Sequence, residues 1–220
     1  SFNHIHFFTG QYWANYKNLK KILFKTLDEF ILIFSKKCLV DGRGQLDYLK
    51  QNFLFCKNKL LILGDGSIKG IDLKRFRPNN KFNRYLRSIH NIPADKKIIL
   101  YAGRFNNEKG IETLAHAVLR LIKKGQNIVL MMIGSREDHS IDKVKEIFIN
   151  YNKYLFILNH INEIERYYNL SYLTCLPSNR EGFGMSLLES SACGTPVVGS
   201  NIYGLQDSII NNYNGFHFNK

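Results

Sequence analysis

Two carboxylates eight positions apart, Glu181 and Glu189, hold the chemistry most open to reading in this chain. They bound the run Glu181-Gly-Phe-Gly-Met-Ser-Leu-Leu-Glu189, which follows Pro177-Ser-Asn-Arg180. The glycines at 182 and 184 predict a tight turn, and Met185, Leu187, Leu188 and Ala192 predict a helix opening behind it. Such a helix start presents free backbone N–H groups and the positive end of a dipole, which suits a phosphate or a sugar hydroxyl. Phe183, Gly184, Met185 and Ser186 are the expected donors, with the Ser186 hydroxyl among them. Glu181 then stands at the mouth of the turn and Glu189 about two helical turns further on. A diphosphate with a hydroxyl-bearing ring at each end, as in a nucleotide-sugar, fits that spacing.

Each residue also has a plainer reading. Glu181 could serve as a helix N-terminal charge held by the dipole. Glu189 falls in an apolar helix segment, where an unpaired carboxylate is costly, so it either pairs with a buried cation or holds hydroxyls. Upstream, Gly103-Arg104-Phe-Asn-Asn-Glu-Lys109 follows an apolar strand pattern. Cations at a helix start oppose the dipole, so a purely local role for Arg104 and Lys109 is disfavoured. At the carboxyl end of a strand in an α/β sheet they could instead neutralise a leaving diphosphate. His160, alone after a strand, and His116, on a helix, read as structural.

The elements that must position these groups alternate regularly. Strands are expected at 97–103, 127–134, 154–158, 172–176 and 197–199, with helices at 109–124, 140–152, 162–169 and 184–193. Crossovers of this kind imply an α/β fold: a parallel sheet covered on both faces in a Rossmann-like domain. Ahead of them, a shorter set reads as strand 5–8, helix 19–34, strand 37–41, helix 45–52 and strand 59–63. Turn signals such as Pro78-Asn-Asn and Asn91-Ile-Pro make 65–95 a connecting segment. The expected organisation is therefore 1–64, the end of one α/β domain; 65–95, the connection; and 96–220, the second domain. The chain opens on Ser1 and ends inside a strand pattern, and it reads as an interior fragment of a longer protein.

Composition bounds the rest. Hydrophobic residues make up 45% and charged residues 22%, an ordinary globular balance. Cys38, Cys56, Cys175 and Cys193 show no metal-binding spacing and read as buried free thiols. The net charge of +13 invites nucleic acid as a partner, yet no RNP, zinc or helix-turn-helix signature accompanies it, and none is expected to bind. Lys17, Lys20, Lys21, Lys25, Lys36, Lys37 and Arg43 cluster among Trp13, Leu19, Ile22, Leu23, Phe24, Leu27 and Phe30. That pattern reads equally as peripheral contact with an anionic membrane or as a solvated lysine-rich face.

The order Gly103-Arg104-(x4)-Lys109-Gly110, then Glu181-(x7)-Glu189, resembles the retaining GT-B glycosyltransferases of family four (group 1). The resemblance runs from about Leu61 to the end, and Gly64-Asp-Gly-Ser-Ile-Lys-Gly-Ile-Asp72-Leu-Lys-Arg-Phe76 is similar to the family's interdomain entry segment. It implies a nucleotide-sugar-binding domain at 96–220 and the truncated remainder of an acceptor-side domain at 1–64. Catalytic roles would fall to Arg104 and Lys109 at the diphosphate and to Glu181 at the donor hexose. Glu189 would hold the ribose, Asn159 and Ile161 would meet the nucleobase through main chain, and Gly103, Phe183, Gly184, Met185 and Ser186 would line the donor. Many members carry a functional histidine after a strand of the acceptor domain. Here Thr9-Gly10-Gln11-Tyr-Trp13 stands in that stretch, as in a subgroup of bacterial capsule and lipopolysaccharide transferases, so Thr9 and Gln11 become the acceptor-side candidates. The implied reaction moves a hexose, UDP-linked, to a glycan or lipid-linked saccharide. No cofactor or metal is expected, and the location is cytoplasmic, with the inner face of the plasma membrane as a peripheral site. The 220 residues alone are expected to bind UDP weakly and transfer nothing. The alternative from another class is a non-catalytic module for nucleotides or anionic surfaces.

Overall fold

Most strands of this chain form from short runs of Ile, Leu, Val and Phe, because branched and aromatic side chains suit a pleated buried surface; the run Phe30-Ile-Leu-Ile-Phe34 instead ends a helix. The computed structural model describes residues 4–67 and 69–219; Ile68, inside the expected entry segment, lies outside the described residues. The elements group into two units by their contacts, and the grouping does not follow chain order.

The first unit comprises residues 1–70, 179–185 and 201–208. It contains β1 (Ile5–Phe8), α1 (Asn18–Phe34), β2 (Lys37–Val40), α2 (Arg43–Asn52) and β3 (Leu60–Ile62), with the strands parallel in the order β1-β2-β3. Trp13, Leu32, Cys38, Leu49 and Phe53 form its core. The fully buried Trp13 ring stacks on Tyr48 at 5.3 Å, and its Nε1 donates to Asp28 Oδ2 at 2.7 Å. The basic cluster is partly consumed locally. Lys25 lies over the Trp13 and Phe53 rings and donates to Asn52, Lys37 donates to the Asn58 carbonyl, and Arg43 pairs with Asp65.

The second unit comprises residues 71–178, 186–200 and 209–220. Along the chain run α3 (Asn83–Ile89), β4 (Lys97–Ala102), α4 (Ile111–Lys123), β5 (Ile128–Ile133), α5 (Ser140–Ile147) and β6 (Leu155–Leu158). Then come α6 (Ile164–Leu170), β7 (Leu173–Leu176), α7 (Met185–Ala192), β8 (Val197–Ser200) and β9 (Gly215–Phe218). The six strands are parallel in the order β6-β5-β4-β7-β8-β9. That order reverses direction beside β4, where Leu100 pairs Met131 on one side and Thr174 on the other. This is the doubly wound Rossmann order, and its switch point is where such sheets bind ligands. Every residue of β5 is buried, as a sheet covered on both faces requires.

Two expectations are corrected. The connecting stretch 65–95 holds a helix, α3, whose Leu86 joins Phe76 and Ile92 in the core of the second unit. The turn residues around it are real: Asn79 caps the preceding turn at Lys81 N, and Asn91 adopts φ +53. They mask the short helix between them. The helix expected over 140–152 stops at Ile147, because Phe148 turns inward to complete burial and Tyr151 N–H closes a turn on its carbonyl at 2.7 Å.

Candidate functional site

In the second unit, the loop after β4 is built by close backbone approach. Gly103 N–H donates to the Ile133 carbonyl, and a Cβ on Gly134 would stand 1.8 Å from the Gly103 oxygen. Only glycine fits at 134. Buried Tyr101 donates its hydroxyl to the Arg104 carbonyl at 2.7 Å, and buried Phe105 anchors the next residue. Asn106 Oδ1 then accepts from Lys109 N–H at 3.1 Å, and Gly110 at φ +64 leads into α4. Arg104 and Lys109 are thus held at either side of a loop at the carboxyl end of β4, beside the switch point.

Arg104 Nη1 donates to Glu137 Oε1 at 2.7 Å, and Asn106 Nδ2 donates to Glu137 Oε2 at 2.6 Å. The Asn106 and Arg104 donors hold the Glu137 carboxyl below its ordinary range, with the Lys109 charge adding to them. Sequence reasoning missed Glu137; its place just beyond β5, in Gly134-Ser-Arg-Glu137, was the available signal. An anion arriving at Arg104 must share the guanidinium with this carboxylate.

Glu189, half-buried on α7, accepts from the Tyr168 hydroxyl at 3.0 Å. Tyr168 is fully buried, and burial with the adjacent Glu189 charge pushes its phenol well above the usual value, so it stays a donor. Sequence reasoning, which offered a buried cation or ligand hydroxyls, did not anticipate this tyrosine as a partner. Ser186 sits one turn earlier on the same helix and is also half-buried. Asn159 and Ile161 follow β6, the edge strand; Asn159 is exposed, while Ile161 packs against the core.

Glu181, Phe183, Gly184 and Met185 belong to the first unit, together with Thr9 and Gln11. The structure brings these two sequence-distant sets into backbone contact. A Cβ on Gly182 would stand 2.5 Å from the Thr9 carbonyl oxygen, and one on Gly204 only 2.0 Å from the Glu181 oxygen. Arg180 lies over the Tyr12 ring at 4.8 Å, and Asn15 donates to the Asn179 carbonyl at 2.9 Å. Ser67 Oγ meets Met185 Sδ at 3.1 Å, and Gly184 adopts φ +76. Thr9 is exposed and Glu181 is half-buried, whereas Gln11 is fully buried. Gln11 N–H donates to the Tyr203 hydroxyl at 2.9 Å, and its Oε1 accepts from Gln45 Nε2 at 3.1 Å.

The family model described as glycosyl transferases group 1 matches residues 83–220, beginning at the first residue of α3. The chain belongs to this family. The capsular polysaccharide biosynthesis glycosyltransferase CapM of Staphylococcus aureus is 33% identical over 161 residues, which is 73% of this chain and 42% of that protein. Among solved structures, a sucrose-phosphate synthase from Thermosynechococcus elongatus superposes with a TM-score of 0.78 at 24% identity, covering 98% of this chain and 54% of that one. The Anabaena protein HepE, solved with UDP and glucose, superposes with a TM-score of 0.80 at 15% identity, covering 98% and 57%. These likenesses show the fold, the GT-B type. The chain spans less than half the length of the curated relatives it matches. Among the described residues, no helix is long and apolar enough to cross a membrane.

Proposed function

We propose that this group 1 glycosyltransferase moves a hexose from a nucleotide-sugar, UDP-linked, to a glycan or lipid-linked saccharide with retention, as a family-four enzyme of bacterial surface polysaccharide synthesis. The observation that carries the reading is the loop after β4, where Arg104 and Lys109 stand at the switch point of the parallel sheet. Two cations there stabilise a departing diphosphate, an electrostatic contribution of several kcal/mol, on the order of that for oxyanion donors. No metal is called for, because these side chains supply the countercharge. HepE, with UDP and glucose in its solved complex, and CapM, from capsule synthesis, support the donor and the pathway class.

The remaining roles divide by unit. In the second, Glu189 holds ribose hydroxyls while Tyr168 fixes its orientation, Ser186 meets phosphate, and Gly103, Asn159 and Ile161 contribute main-chain contacts. In the first, Glu181 with the backbone of Phe183, Gly184 and Met185 addresses the hexose, and Thr9 and Gln11 address the acceptor. Exposed Leu19, Ile22, Leu23 and Phe30 on α1, beside exposed Lys17 and Lys20 and half-buried Lys21, favour peripheral contact with anionic lipid on the cytoplasmic face.

The test is a thermal-shift panel of nucleoside diphosphates and nucleotide-sugars on the full-length protein, followed by Arg104→Ala. A ligand that binds only the folded state raises its midpoint, and UDP or its sugars should do so most. Arg104→Ala should lower kcat by roughly 100-fold or more. Stabilisation by UDP with no sugar transfer would favour a non-catalytic nucleotide-binding module. Near-normal turnover of Arg104→Ala would overturn the role given to the loop.

A further inference from the structure

Asp41 is the one carboxylate in the buried class among the described residues, at 6% exposure. It directly follows β2, and its surroundings all belong to the first unit. A Cβ on Gly182 would stand 2.4 Å from Asp41 Oδ2, and a Cβ on Gly66 would stand 2.5 Å from the Asp41 carbonyl oxygen. Any side chain at either position would close the space beside this residue. The Asp41 backbone is fully engaged: its N–H donates to Gln45 Oε1 at 2.7 Å, and its carbonyl accepts from Ser67 N–H at 2.6 Å. Gln45 passes the chain on, its Nε2 donating to Gln11 Oε1, and the far end is Gln11 Nε2. That nitrogen is completely buried and has no hydrogen-bond partner.

Folded proteins rarely bury an amide donor or a carboxylate without partners, since each loses its hydration for nothing. Here Gln45 accepts from the Asp41 backbone N–H and donates to Gln11 Oε1, so one carboxamide links the residue that bears the carboxylate to the side chain that bears the unpaired donor. Burial moves the Asp41 carboxyl up to about 6, with no compensating hydrogen bond or charge. The titratable groups on the elements packed around it include Arg43, which is paired with Asp65, and Asp47, Tyr48 and Lys50 on α2, together with Glu181, Tyr203 and Asp207, which accepts from Gly44 N–H.

We propose that Asp41 and Gln11 form a binding pair for sugar hydroxyls, the carboxylate accepting from one hydroxyl and Gln11 Nε2 donating to a neighbouring oxygen. A carboxylate acceptor and an amide donor match the mixed accepting and donating character of ring hydroxyls. The assignment rests on the glycosyltransferase reading and adds Asp41 to it as a substrate-binding residue. Gln11 then acts through its side-chain amide, oriented by Gln45.

The experiment follows the Asp41 carboxyl by carbon-13 NMR in the full-length protein. The probes are UDP, UDP-glucose, UDP-galactose, UDP-N-acetylglucosamine and the methyl glycosides of glucose, galactose, mannose and N-acetylglucosamine. A saccharide-bearing probe should move the Asp41 signal and lower its titration midpoint, because a hydroxyl donor favours the charged form; UDP alone should leave both in place. Response to UDP-sugars only assigns the pair to the donor hexose, and response to methyl glycosides assigns it to the acceptor. In kinetics, Asp41→Asn should raise KM for the responding saccharide about tenfold or more while UDP binding is unchanged. A protein that binds UDP and transfers sugar while Asp41 ignores every saccharide overturns this proposal alone. A protein that neither binds UDP nor transfers sugar overturns both readings. Should Asp41→Asn fail to fold, the NMR response of the unaltered protein decides.

Discussion

The two units bury polar groups of different kinds. In the second, the buried polar side chains are hydroxyls: Ser140, Thr174, Ser178, Ser190, Thr195 and Ser200. Several settle locally, Ser190 donating to Thr174 Oγ1 at 2.8 Å and Thr195 to the Tyr168 carbonyl at 2.7 Å. The first unit also buries two hydroxyls, Ser35 and Ser208, and adds to them a carboxylate and two carboxamides, Asp41, Gln11 and Gln45. A hydroxyl is small, neutral and able to rotate toward a partner, so its burial costs little once bonded. A carboxylate is far costlier to bury. The contrast separates polar groups that serve packing from polar groups kept at the expense of packing, and the latter mark where to look for a ligand.

Stability measurements probe that contrast most strongly through the apolar cores. Leu100 in β4 and Leu49 in α2 are both fully buried. Leu100→Ala and Leu49→Ala should each lower stability in urea melts by about 2–5 kcal/mol. A loss under about 1 kcal/mol for Leu49→Ala would show that the first unit is loosely packed, and its buried polar groups would then need no special account.

A smaller effect, with a distinctive pH signature, is expected at Asp41. Its carboxyl rises from 3.8 to about 6 on folding, so the native state holds the proton more tightly than the unfolded chain. Between those values the unfolded state binds fewer protons, and stability falls as pH rises through the window. Asp41→Asn should therefore stabilise the protein at pH 8 by up to about 3 kcal/mol. The gain should shrink as pH drops below 6 and vanish near 4. A difference independent of pH would show that the buried carboxylate carries no such penalty.

The smallest expected effect lies in the second unit. Tyr168→Phe removes the hydroxyl that meets Glu189, with a loss of about 1 kcal/mol. Donor KM should rise several-fold as Glu189 loses its orientation, with kcat little changed. An unchanged KM would separate Glu189 from the nucleotide-sugar.

Much of the fold was legible because its signals are local. The apolar periods of β4, α4, β5 and β7 lie close to their observed limits, and the loop holding Arg104 and Lys109 falls at a strand's carboxyl end as expected. Where local signals compete, reading failed. Turn-forming asparagines and prolines concealed α3, and an apolar period running past Ile147 concealed the turn at Phe148. Glu137 was invisible as the partner of Arg104, since the two lie on loops far apart in the chain that are brought together by the parallel pairing of β4 with β5 and by the Phe105–Arg136 bridge beyond it.

The sequence by itself determined the alternation of strands and helices, the parallel sheet and the family, since all three depend on residue types at short, fixed spacings. Tertiary structure decided that Gly182 in one loop would approach Thr9 and Asp41 more closely than any side chain allows. It also left Gln11 Nε2 buried without a partner. Burial and partnership are properties of space, set by contacts between segments far apart in the chain, and no period or motif within one segment encodes them.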